Sequence, residues 1–171
     1  MRELLLLRHA KSDWSEGVED FDRPLKQRGK KEALRMGEWL LEQNLCPDWI
    51  VSSPARRARE TAEKLCKGLK LKKDDDIHFD DQIYEAGIFS LKHVLADCPV
   101  SSRRVLLVGH NPGLEDLLMD LAEGIEADED GKLLATATLA RLQMPNDWRD
   151  LNSYCGHLVS ITRASRLDDD G

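Results

Sequence analysis

Two histidines at the ends of apolar runs carry the most chemistry in this sequence of 171 residues. His9 follows Arg8 in Glu3-Leu4-Leu5-Leu6-Leu7-Arg8-His9-Ala10-Lys11-Ser12, and His110 follows Gly109 in Arg104-Val105-Leu106-Leu107-Val108-Gly109-His110-Asn111-Pro112-Gly113. A third apolar run, Trp49-Ile50-Val51, leads through Ser52-Ser53-Pro54-Ala55 to Arg56-Arg57. Imidazoles among guanidiniums suit attack on phosphorus. A neutral imidazole is a competent nucleophile, and nearby arginines both keep it unprotonated and neutralise the equatorial oxygens of a transferring phosphoryl group. Guanidinium forks match phosphate geometry better than an ammonium does. The sequence has no Gly-rich nucleotide loop and no carboxylate cluster suited to magnesium, so the expected route needs no metal or cofactor and passes through a phosphohistidine intermediate.

These side chains need elements that deliver them to one place. Short apolar runs that stop abruptly in charge read as strands buried on both faces, as in parallel sheets covered by helices. Their last residues then emerge at the carboxyl edge of the sheet, where open α/β folds bind ligands. Neighbouring strands would bring His9, Arg8, His110 and the Arg56/Arg57 pair into one crevice.

Between the strands, 26–43 reads as a helix with Ala33, Met36, Gly37, Leu40 and Leu41 on its buried face. Ser53-Pro54 reads as a helix start, with serine capping and proline in the first turn. Arg57 would then face a bound phosphate while Arg56 and Arg59 point elsewhere round the helix. Residues 67–76 read as an exposed turn, 77–79 as a short strand, 81–87 as a loop near the pocket and 90–96 as a short helix. The next helix, 111–121, turns Leu114, Leu117, Leu118 and Leu121 inward. An acidic, mobile connection over 124–131 precedes two further strands, 133–144 and 158–162, added antiparallel at one side. The expected domain is 1–165, with 166–171 a flexible tail.

Composition bounds the rest. Hydrophobic residues make up 41% and charged residues 33%, ordinary for a globular protein, and the formal net charge is −7. That sign disfavours nucleic acid and anionic membrane as partners, so an anionic substrate must be drawn by a local basic pocket. The leading leucines are too few for a signal peptide, and no run approaches the roughly 18 apolar residues of a membrane span. A cytoplasmic monomer is expected. Cys46, Cys66, Cys98 and Cys155 lack paired spacing, and the five histidines lack metal-ligand spacing, so neither disulfides nor a metal site are expected. His78, His93 and His157 stand outside any motif.

Two positions stay open from spacing alone. Arg23, in a turn-rich segment over the sheet edge, either turns back into the pocket or is a solvated arginine ahead of Pro24. Glu85 is either a surface glutamate or a general acid for the leaving group, its pKa raised by neighbouring carboxylates.

Taken together, Arg8-His9, Ser53-Pro54 with Arg57 three positions beyond the proline, and Gly109-His110 resemble the signature of the histidine phosphatase superfamily, the phosphoglycerate mutase-like fold. Arg8-His9-Ala10-Lys11-Ser12, Arg23-Pro24-Leu25 and Gly109-His110-Asn111-Pro112-Gly113 are similar to its SixA-type branch, the protein phosphohistidine phosphatases. The resemblance runs from Met1 to about Ile161. It implies a three-layer α/β/α sandwich with a mostly parallel central sheet, His9 as nucleophile, and Arg8, Arg57 and His110 as the phosphate pocket. Arg23 would be a fourth pocket member, Asn111 a further substrate-binding residue, and Glu85 sits where other branches carry their acid. Ala10 departs from the glycine usual after the nucleophile.

The resemblance also implies no large cap, because no long insertion lies between Thr61 and His110. An open pocket admits a side chain presented on another protein. The expected activity is therefore a metal-independent phosphatase acting on phosphohistidine in a signalling or phosphotransfer protein. The alternatives are a small-molecule phosphomonoester phosphatase and, in a different class, a noncatalytic phosphate-binding module. Loss of the nucleophile or of a pocket arginine would mark that last class, and the sequence retains them all.

Overall fold

The computed structural model describes residues 1–71 and 76–167. Among the described residues the strands and α-helices follow in the order β1 (Arg2–Arg8), α1 (Gln27–Glu42), β2 (Trp49–Ser52), α2 (Arg56–Gly68), β3 (Ile77–Phe79), α3 (Ile88–Ala96), β4 (Arg104–Gly109), α4 (Gly113–Leu121), β5 (Thr138–Met144) and β6 (His157–Arg163). They build a six-stranded sheet in the order β3-β2-β4-β1-β5-β6. The pairs β2–β3, β2–β4 and β1–β4 are parallel, while β1–β5 and β5–β6 are antiparallel additions at one side.

The unbroken leucine run is explained by the layers. Leu4 and Leu6 of β1, with Val105 and Leu107 of β4, face a core that includes Leu91, Val94 and Leu95 of α3 and Leu114, Leu117, Leu118 and Leu121 of α4. Leu5 and Leu7, with Leu106 and Val108, face the opposite core, formed with Ala33, Met36 and Leu40 of α1 and Ala58, Ala62 and Leu65 of α2. A strand with period-two alternation and helices on both sides must be apolar at every position. This is the α/β/α sandwich, and among the described residues no cap is built between Thr61 and His110.

Helices α1 and α2 cross at glycines. A Cβ on Gly37 would lie 2.0 Å from the Leu65 carbonyl oxygen, and one on Gly68 would lie 2.3 Å from that of Leu34. Neither position has room for a side chain. The N-terminal end of α1 is seated equally closely on the segment after β1, where a Cβ at Gly29 would come 2.3 Å from the Lys11 carbonyl oxygen.

Several expected boundaries move. Helix α2 begins at Arg56 with Ala55 as its N-cap, not at Ser53-Pro54, because the Ser53 backbone N–H still pairs with Val108 as an extension of β2. Leu41 is 38% exposed rather than inward, since five apolar positions make a wider stripe than α1 buries. Strand β5 starts at Thr138, so Leu133 to Ala137 is irregular chain leading to it. Ala164–Arg166 forms a 3-10 turn and Leu167 packs on the core beneath α1, which removes both Arg166 and Leu167 from the expected tail. Within the acidic connection, Asp128 and Asp130 are paired with Arg166 and Arg163. Of the expected turn over 67–76 and tail over 166–171, residues 72–75 and 168–171 lie outside the described residues. No described helix is long and apolar enough to cross a membrane.

Candidate active site

Register brings the chemistry together. Arg8 pairs with Gly109 across β1–β4, so His9 and His110, each one residue further on, leave the sheet side by side. Ser52 pairs with Val108 across β2–β4, which places Ser53 beside them. The turn after His9 is held from three sides. The His9 backbone N–H donates to Gly109 O (3.1 Å), Ala10 N–H donates to Thr61 Oγ1 (2.9 Å), and Ala137 N–H reaches His9 O (3.1 Å). The Thr61 hydroxyl in turn donates to Arg57 O at 2.7 Å, so the turn after His9 and the first turns of α2 are tied through one side chain.

His9 is 6% exposed, and its Nδ1 lies 2.8 Å from Ala10 O. A carbonyl only accepts, so Nδ1 carries the ring proton and Nε2 keeps its lone pair. Burial is the main cause that lowers the His9 pKa from 6.5 to about 3; the Ala10 carbonyl opposes it, and His110, Arg8 and Arg57 reinforce it. The imidazole is therefore neutral at ordinary pH. His110, whose ring centroid is 5.2 Å from that of His9, is lowered to about 4 by burial and by Arg57, with Asp20 opposing. Its Nε2 lies 2.7 Å from Ser53 Oγ. With the serine O–H donating into Nε2, the remaining ring proton sits on Nδ1, which is buried without a partner.

The guanidiniums show the same pattern. Arg8 donates from Nη1 to Leu134 O (3.2 Å), and its Nε is buried and unpartnered. Burial lowers its pKa, with Glu115 opposing. Arg57 is 6% exposed; Nη1 donates to Asp20 O (2.7 Å), Nη2 to Asp20 Oδ2 (3.1 Å), and Nε again has no partner. Unpaired buried donors are costly, and His110 Nδ1, Arg8 Nε and Arg57 Nε come from three different sheet ends. Together they suit an anion with several oxygens.

Arg23 is settled by the structure as a buried neighbour of the site. It donates from Nε to Ser12 Oγ (3.0 Å) and from Nη1 to Asp20 Oδ1 (2.6 Å), with its guanidinium 3.6 Å above the Trp14 ring. Arg56 and Arg59 turn away, paired with Glu60 and Glu63. A cleft of about 300 Å³ opens beside Arg57 and His110, walled by Tyr84, Glu85 and Asn111. Glu85 stands solvent-exposed on its rim, with a left-handed backbone (φ 58°). Asn111 directs its amide to Leu134 O at 2.8 Å, the carbonyl that Arg8 also uses, while its Oδ1 is buried without a partner. A larger cleft of about 480 Å³ lies against β6, but it has no histidine, and its Arg163 and Arg166 are already paired with acids. Among the described residues, no group of three or more His, Cys, Asp or Glu is arranged to hold a metal.

Four side chains of the site escape a reading by motif. Ser53, expected as a cap, instead meets His110. Thr61 looks like an ordinary helix residue. Asp20 and Tyr84 sit in segments without periodicity, yet Tyr84 donates to Asp20 Oδ2 at 2.6 Å. The Asp20-Arg23 spacing of an i,i+3 ion pair was the one available signal.

Fold and site together place a neutral histidine in a guanidinium pocket at the carboxyl edge of an α/β sheet. The sequence model of the histidine phosphatase superfamily (branch 1) matches residues 4–87. Over 94–95% of the chain, the fold superposes on proteins assigned as the phosphohistidine phosphatase SixA. That of Nakamurella has TM-score 0.80, 26% identity and 95% of its own length covered, and that of Agrobacterium tumefaciens has 0.74, 27% and 97%. An uncharacterised protein of Mycobacterium tuberculosis is 29% identical over 160 residues, 91% of this chain and 98% of that one. The chain belongs to the histidine phosphatase superfamily, and its fold is of the SixA type.

Proposed function

We propose that this protein is a phosphatase that dephosphorylates phosphohistidine on another protein through a phosphoenzyme at His9. The observation that carries the reading is the neutral His9 ring, with Nε2 free, beside three buried donors that lack partners. In the first step His9 Nε2 attacks phosphorus, the P–N bond to the substrate imidazole breaks, and its electron pair stays on that imidazole, which takes a proton. In the second step water attacks the phosphoenzyme, the P–Nε2 bond breaks with its electrons returning to His9, and inorganic phosphate leaves. Arg8, Arg57 and His110 stabilise the equatorial oxygens in both steps, with Arg23 adding positive charge. An imidazole leaves readily, so the exposed Glu85 supplies at most an assisting proton.

An open site favours a substrate carried on a protein. Trp14 and Phe21 project from the loop beside the pocket, 74% and 40% exposed, and offer apolar contact outside the phosphoryl site. The decisive experiment is single-turnover hydrolysis of a phosphohistidine-bearing phosphotransfer domain beside a panel of small phosphoesters. Preference for the protein, with an acid-labile, base-stable phosphoenzyme, is the expected result. Preference for a small phosphoester would overturn the substrate and keep the chemistry, and binding without turnover would indicate a noncatalytic module.

A further inference from the structure

Among the described residues, Asp20 is the carboxylate that bonds both Arg23 and Arg57, and every oxygen it has is in use. Oδ1 accepts from Arg23, Oδ2 accepts from Arg57 and Tyr84, and its backbone oxygen accepts from Arg57 Nη1. The residue opens a 3-10 turn (Asp20–Asp22) in the loop after β1, while Tyr84 lies in the loop after β3. Phe21 adds an edge contact to the Tyr84 ring, 5.2 Å between centroids at 88°. One residue thus joins the loop after β1 to the Tyr84 segment that walls the cleft.

The consequence for Arg57 is directional. A guanidinium has five N–H groups in a rigid plane, so fixing both terminal nitrogens on residue 20 also fixes where Nε–H points. That Nε–H is the buried donor without a partner. Tyr84, Arg57 and Arg23 hold the Asp20 carboxyl at about 2, the tyrosine hydrogen bond contributing most, so it is an anion at working pH and has no proton to give a leaving group. An exposed ion pair would contribute little, but both arginines here are at least nine-tenths buried.

We propose that Asp20 is a positioning residue for phosphoryl transfer: it clamps the terminal nitrogens of Arg57 so that Nε is presented to the phosphoryl group, and it braces the clamp against Tyr84. The proposal rests on Arg57 being a phosphoryl contact, and it does not depend on which phosphorylated substrate is natural.

The test compares Asp20→Ala, Asp20→Asn and Tyr84→Phe with wild type, using p-nitrophenyl phosphate for kcat and KM. The Arg57 Nε–H resonance is followed by NMR on adding inorganic phosphate. Asp20→Ala is expected to lower kcat by about 10- to 100-fold, as misplacing a contact does, with KM changed far less. Asp20→Asn, whose amide oxygen still accepts from Arg57, recovers most of kcat, and Tyr84→Phe loses a smaller part. Phosphate shifts the Arg57 Nε–H resonance in wild type and not in Asp20→Ala. An unchanged kcat in Asp20→Ala would overturn the proposal. So would a rise in kcat/KM with tighter phosphate inhibition, since Asp20 would then be an internal competitor. If Asp20→Ala does not fold, an Asn variant that keeps most of kcat and shows the wild-type shift of that resonance on adding phosphate supports the clamp, and one with a collapsed kcat refutes it. If wild type turns over neither p-nitrophenyl phosphate nor a phosphohistidine protein, the proposed activity fails, while the resonance still decides whether Asp20 aims Arg57.

Discussion

The rings of His9 and His110 lie 5.2 Å apart, although 101 positions separate them in sequence, because the residues just before them are register partners in the parallel β1–β4 pair. Parallel pairing aligns strand ends of the same polarity, so each strand delivers its last side chain to the same edge. The nucleophile candidate and its neighbour owe their proximity to register, not to a loop.

His9→Ala should abolish turnover of both a phosphohistidine protein and a generic phosphoester while leaving thermal unfolding in place. The check is steady-state kinetics with a calorimetric scan. Residual turnover above one-thousandth of wild type would move the nucleophile elsewhere.

Arg57→Ala should cost about 10²- to 10³-fold in kcat, the loss seen when one preorganised donor is removed from a transition state. KM should move much less. A decline of tenfold or less would take Arg57 out of contact with the phosphoryl group.

Acid should destabilise the protein before the carboxylates titrate. Both site histidines have folded pKa values below the ordinary 6.5, at about 3 and about 4. Each binds fewer protons folded than unfolded in that range, so its contribution is fully present above about 6.5 and is lost as pH falls toward the folded values. Thermal unfolding from pH 7 to 4.5 should show a falling Tm in wild type. The His9→Gln/His110→Gln double variant should show a flatter profile, and an equal slope in both proteins would contradict the burial argument.

Gly37→Ala should destabilise the α1–α2 crossing by about 1–3 kcal/mol, since its Cβ must displace the Leu65 carbonyl. Denaturant unfolding of the variant measures this. A change within a few tenths of a kcal/mol would show that the two helices part without cost.

Treatment with a chelator should leave kcat unchanged, because arginines supply the positive charge assigned to the transition state. A collapse of activity that added divalent cation restores would require a different electrostatic partner for the phosphoryl group.

The sequence by itself pointed to the layered fold and to Arg8, His9, Arg57 and His110 as neighbours at one sheet edge. Apolar runs without alternation read as strands covered on both faces, and runs that end in His9, Arg57's segment and His110 release them at one sheet edge if the strands are parallel neighbours. It also distinguished Arg57 from Arg56 and Arg59, since helical spacing turns Arg57 to a different side from the other two. The tertiary structure decided what spacing leaves undetermined. Arg23 is buried because Ser12, Asp20 and Trp14 surround it, and those partners meet only once the loop after β1 folds back over the sheet. Ser53 serves His110 instead of capping α2, because pairing with β4 holds its backbone in the strand direction past the last regular residue. Asp20 and Tyr84, 64 positions apart, have no shared period or motif, and their hydrogen bond exists only through the docking of two irregular loops. Local spacing encodes the direction of side chains within an element, whereas contacts between loops depend on how the elements beneath them pack.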